Sequence, residues 1–110
     1  MDTLNKIFDL YGIIAKDLDE SRNLVEQVIG SQLQPRESSY RGGDYFGLDD
    51  LGTENFILQR NYDDTQGEWT ESAHRDAPFL LYVSESPSAD KYRSELESRP
   101  SIRLLRRDLA

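Results

Sequence analysis

Apolar residues recur at helical spacing near the start of the chain, shift toward a period of two after Gln32, and return to helical spacing only beyond Ser86. Asp2-Thr3 is a capping pair ahead of Leu4, Ile7, Phe8 and Tyr11, a spacing that predicts a short helix closed by Gly12. Ile13-Ile14-Ala15 reads as a brief buried strand. Asp17 to Glu20 supplies the next start signal, with Asp19 as the expected cap. Leu24, Val25, Val28 and Ile29 then form one apolar stripe that Gly30 closes. This is the clearest helix in the sequence.

The middle of the chain alternates. Leu33 to Tyr40 predicts a strand whose Pro35 belongs at an edge or a bulge, because proline cannot donate to a ladder. Arg41-Gly42-Gly43-Asp44 predicts a hairpin turn, Tyr45 to Leu48 the return strand, and Glu54 to Arg60 a third strand. Ser39, Tyr40, Tyr45 and Phe46 are expected to pair across this ladder. Phe79 to Val83 is a continuous apolar run that suits a central strand. Ser86-Pro87 opens a helix marked by Ala89, Tyr92 and Leu96 that stops before Pro100, and Ile102, Leu104 and Leu105 mark a last strand.

These elements predict a single α+β domain over residues 1–110, in the order α-β-α-β-β-β-loop-β-α-β. The expected architecture is a single mixed, mostly antiparallel sheet with two main helices on one face and a short N-terminal helix. Between its fourth and fifth strands runs a polar segment of 16 residues, Tyr62 to Ala77, read as a long loop with room for one helical turn. Structureless loops of that length are uncommon in compact domains and often functional.

Composition sharpens the picture. The chain has 110 residues, of which 36% are hydrophobic and 31% charged, so the core is thin and the polar surface extensive. Its net charge of −8 repels phosphate backbones and anionic membranes and favours a basic protein partner. The same charge also serves solubility. No cysteine is present, which removes disulfides and thiolate metal sites. No secretion signal or membrane-spanning run is visible, so the expected location is cytoplasmic.

Catalytic chemistry finds little support. His74 is the only histidine, and nothing near it in sequence holds it as a nucleophile's base requires. Asp63-Asp64 with Gln66 and Glu68 match no EF-hand spacing. Gly42-Gly43 precedes a strand rather than a helix and belongs to no phosphate loop. The chain is therefore expected to be a binder rather than an enzyme, with no metal and no organic cofactor. Arg103, Arg106 and Arg107 are too few for a nucleic-acid stripe. Alternation along a strand puts Arg106 and Arg107 on opposite faces, where acids of neighbouring strands or solvent would meet them.

The candidate site is the acidic middle. Ten acidic residues lie between Glu37 and Asp76, against Arg41, Arg60 and Arg75. The expected partner-binding residues are Asp63, Asp64, Glu68, Trp69 and Glu71, with Asp44, Asp49 and Asp50 as secondary members. Two roles are open to Trp69: an aromatic anchor for a basic partner, or the pin that ties the loop to the core.

Two resemblances bear on these residues. The run Ile14 to Gly30, led by Asp17-Leu18-Asp19-Glu20-Ser21-Arg22 and ending Val28-Ile29-Gly30, resembles the opening of a glyoxalase-like (vicinal-oxygen-chelate) module, as does the strand–helix–strand order to Asn61. That likeness covers about half the chain and leaves the family's metal-binding His and Glu positions unmatched. It implies a small-ligand binder or degenerate enzyme with a pocket lined by Tyr40, Tyr45, Phe46 and Tyr82. As a whole, the short acidic α+β chain resembles the immunity proteins of bacterial contact-dependent growth inhibition and related polymorphic toxin systems. That resemblance implies a protein that binds and neutralises a basic toxin domain, often a nuclease. A homodimeric interaction module is the third alternative.

Overall fold

The computed structural model describes residues 7–38, 43–50, 54–64, 66–84 and 88–109. It is an α+β fold built on a six-stranded sheet and two helices. In chain order the elements are β1 (Ile7–Ile13), α1 (Leu18–Ile29), β2 (Gln34–Ser38), β3 (Gly43–Asp50), β4 (Glu54–Arg60), the short pair β5 (Tyr62–Asp63) and β6 (Glu68–Trp69), β7 (Phe79–Ser84), α2 (Ala89–Glu97) and β8 (Ile102–Leu109). The sheet order is β2-β3-β4-β7-β1-β8.

Every pairing among the described strands is antiparallel, so the mixed sheet expected from sequence becomes an antiparallel one. The reason is topological. β1 and β2 run the same way, but β3, β4 and β7 lie between them; β7 and β8 run the same way, but β1 inserts between them. Strands joined through a helix therefore never become neighbours, the split β-α-β layout.

The expected N-terminal helix is corrected. Ile7–Ile13 is a strand between β7 and β8, and residues 1–6 lie outside the described residues. Helical spacing misled because this strand is covered on both faces. Tyr11 and Ile13 enter the main core, while Leu10 packs with Ala77 and Leu80 on the other side. A doubly buried strand loses the alternation that would reveal it. Ile13 is also where this strand ends, and Ile14, expected inside a strand, is exposed.

Helix α1 starts two residues earlier than predicted. Asp17, not Asp19, is its cap, and the Asp17 carboxylate accepts the Glu20 N–H at 2.8 Å. Gly30 ends the helix as expected, its N–H bonded to the Glu26 carbonyl. Leu18, Val25 and Leu96 of the two helices pack on Tyr11, Phe56, Leu58 and Leu81, so both helices cover one face of the sheet. Pro35 lies in β2, an edge strand, where a proline is tolerated as expected. Tyr45 and Phe46 oppose Arg36 and Pro35, whereas Ser39 and Tyr40 lie outside the described residues. Among the described residues no helix is long and apolar enough to cross a membrane.

Candidate functional site: the hairpin and groove at one end of the sheet

The segment after β4 is not a structureless loop. It folds back over the face of the sheet that the helices leave open, organised by Asn61. This side chain is fully buried, and its amide donates to the carbonyls of His74 and Ala77, each at 2.9 Å. Its Oδ1 accepts the Glu71 N–H at 2.8 Å. The Asn61 backbone donates to the Pro78 carbonyl and accepts from the Thr70 N–H. One residue thus satisfies polar groups at both ends of the excursion, which lets a polar segment sit against a sheet.

Within the excursion, Tyr62 pairs with Trp69 and Asp63 with Glu68. Asp63 is buried; its carboxylate accepts the Gln66 N–H at 3.2 Å and its carbonyl accepts the Gly67 N–H at 2.8 Å. Gly67 has φ 69°, a left-handed conformation that favours glycine and allows the tight return. A single 3-10 turn follows at Ser72–His74.

Ion pairs and one close contact fasten the segment to the sheet. Glu71 accepts the Tyr82 hydroxyl at 2.6 Å and pairs with Arg106 at 3.2 Å, and this carboxylate raises the Arg106 pKa above its ordinary value. Asp76 pairs with Arg103, whose hydrogen bond holds the Asp76 carboxyl below its usual range. Ala77 lies against Gly12, where a Cβ would come within 2.9 Å of the Ala77 Cβ.

The candidate acids therefore divide. Asp64 and Glu68 are exposed at the hairpin tip, and Asp44 is exposed at the start of β3. Asp63 and Glu71 turn inward and hold the hairpin's shape. Asp49 and Asp50 end β3, and their side chains lie outside the described residues. Trp69 belongs to neither core cluster among the described residues and contacts its own hairpin instead. It is half-buried, meets Tyr62 edge-on with centroids 5.0 Å apart, and has the Arg75 guanidinium 5.8 Å from its ring. His74 serves through its backbone carbonyl.

Beside the hairpin, an open groove of about 360 Å³ runs between the start of α1, the end of β4 and the start of β7. Leu18 and Phe79 lie at its base, Tyr62 and Trp69 form one wall, and Lys16, Arg60 and Arg75 line it together with Asp17 and Asp64. Arg60 also donates to the Asp44 carbonyl at 3.2 Å, which ties the start of β3 to the groove. The sequence counted Arg60 and Arg75 only as offsets to the acidic excess; their convergence with Lys16 has no sequence signal because the three lie on separate elements. Asn61 was likewise missed, although a lone amide at the exit of a strand is the type of residue that organises a turn.

The ligand pocket implied by the glyoxalase likeness does not assemble from its expected lining. Phe46 belongs to the core under the helices, Tyr82 projects from the opposite face, and Tyr40 lies outside the described residues. Among the described residues no three His, Asp or Glu side chains converge as a metal site. Comparison of the chain with protein-family models, curated proteins and solved structures gives no match.

Proposed function

We propose that this chain is an inhibitor of the immunity type, a binder rather than a catalyst, which docks on a basic protein domain and occupies the surface that domain uses for RNA or DNA phosphates. The observation that carries the reading is the Tyr62–Trp69 hairpin. A buried hydrogen-bond hub and an anchored Glu71 hold its base, while Asp64 and Glu68 stand exposed at its tip. Fixed charges on a rigid element bind with less ordering cost than charges on a flexible loop. Asp44 extends the acidic surface, with Asp49 and Asp50 farther along the same strand. The net charge of −8 steers a basic partner toward it. The proposed setting is the cytoplasm of a producing bacterium.

The test begins with capture of the partner from producing cells and assay of that partner for nuclease activity with and without the purified chain. Loss of nuclease activity on adding the chain is the expected result. The Asp64→Lys/Glu68→Lys variant should then associate about tenfold more slowly at low salt, with the gap closing as salt rises. A captured partner whose activity the chain leaves untouched, or a variant that associates as fast as the parent, would overturn the reading.

A further inference from the structure

Four arginines of this acidic chain meet carboxylates: Arg93 meets Glu97, Arg103 meets Asp76, Arg106 meets Glu71 and Arg107 meets Asp9. Arg22 and Arg99 are engaged differently, over the Phe46 ring and with the Gln27 side chain. Among the described residues Lys16, Arg60 and Arg75 also form no ion pair, and these three converge on the groove beside the hairpin. Arg60 is held there by the Asp44 carbonyl and Arg75 by the Trp69 ring. Of the two carboxylates in that groove, Asp17 is engaged in capping α1.

We infer that this groove is a receptor for an acidic side chain of the partner, presented next to an aromatic one. The proposal rests on the protein-binding reading above and deepens it: the partner would be recognised by a mixed-charge surface, with acids on the hairpin tip and cations beside it. Guanidinium groups match a carboxylate through two parallel N–H donors, a fit that a lysine cannot reproduce. The Trp69 and Tyr62 rings supply an apolar wall where an aromatic side chain packs edge-on. The volume of about 360 Å³ lies within the size range of small-ligand sites. A singly charged carboxylate suits the groove better than a phosphate dianion, because Asp64 lines the same space and repulsion grows with ligand charge.

The single tryptophan makes the site directly readable, since its indole N–H gives one signal in a nitrogen-15 correlation spectrum. The probe is a blocked Asp-Phe dipeptide titrated into the whole chain. The expected result is a saturable shift of the Trp69 indole and of the Arg60 and Arg75 Nε–H signals, with a dissociation constant on the order of 1 mM. The Arg60→Gln/Arg75→Gln variant should stay folded and bind the dipeptide about tenfold more weakly. Should that variant unfold, Arg75→Lys, which keeps the charge and loses the paired N–H donors, supplies the comparison and should also bind more weakly. A charge-reversed Lys-Phe dipeptide should leave all three signals in place. No saturable shift with the acidic probe, equal binding by the basic one, or tighter binding of adenosine monophosphate would each overturn the proposal. Glu68 lies outside the groove lining, so Glu68→Lys alone reports on the inhibitor reading separately, while the groove cations carry this test.

Discussion

Arg106 and Arg107 are neighbours in sequence and partners of opposite faces of the sheet. Arg107 points under the helices. It grips Asp9 through two hydrogen bonds of 2.7 and 2.8 Å and reaches Asp90 at 2.6 Å, and the Asp9 side chain is 1% exposed. Arg106 points to the face covered by the polar excursion and meets Glu71 and Asp108 at 3.2 and 3.1 Å with its own side chain 45% exposed. Residue type and strand are the same. What differs is the cover: α1 and α2 exclude water from one face through apolar packing, whereas the 61–78 segment covers the other through hydrogen bonds centred on Asn61. An ion pair on the first face is structural; on the second it is a tether in partial contact with water.

The largest test of this contrast is Arg107→Ala. It leaves the buried Asp9 charge without its partner and should cost about 4 kcal/mol in denaturant unfolding. Asn61→Ala should follow at about 3 kcal/mol, because several buried backbone groups lose their partner at once. Hydrogen exchange in that variant should rise at Thr70 and Glu71 before it rises in β7, showing that the polar cover lifts while the core holds. A third variant acts in the opposite direction. The Tyr11 hydroxyl is buried without a hydrogen-bond partner among the described residues, and burial with Asp9 nearby holds its pKa well above the ordinary value. Tyr11→Phe removes that orphaned group and should raise stability by about 1 kcal/mol. Arg106→Ala should cost less than about 1 kcal/mol, the range of exposed pairs. If Arg106 and Arg107 prove equal in unfolding experiments, the contrast between the two faces is wrong.

Acid should produce the smallest effect near neutrality. Hydrogen bonds from Arg93, Arg107 and Arg103 depress the carboxyls of Glu97, Asp90 and Asp76 in the folded chain. Their folded values lie below their unfolded ones, so the contribution is present above about pH 4 and is lost as pH falls through the folded values. Unfolding midpoints measured from pH 7 to pH 2 should be flat to about pH 4.5 and decline below it. Asp90→Asn should make that decline shallower, and added salt should shrink the difference because Asp90 is exposed.

Much of the fold was legible from local pattern. The Glu54–Arg60 strand, the Phe79 run, the stripe of α1 and its closure at Gly30 all stand where their apolar period and turn residues place them. The opposite facing of Arg106 and Arg107 follows from strand alternation alone. β1 was not legible, because burial from both sides erases the alternation that marks a strand. The acidic character of the middle segment was also visible, but not its division into exposed tip acids and the inward-turned Asp63 and Glu71.

By itself, then, the sequence determined the α+β class, the acidic surplus and the places of both helices and of strands such as Glu54–Arg60 and the Phe79 run, since each depends on residues a few positions apart. Tertiary structure alone decided the strand order, the folding of 61–78 onto the open face and the gathering of Lys16, Arg60 and Arg75 into one groove. Those features join residues separated by tens of positions. Their encounter depends on how the sheet closes, which no local period encodes.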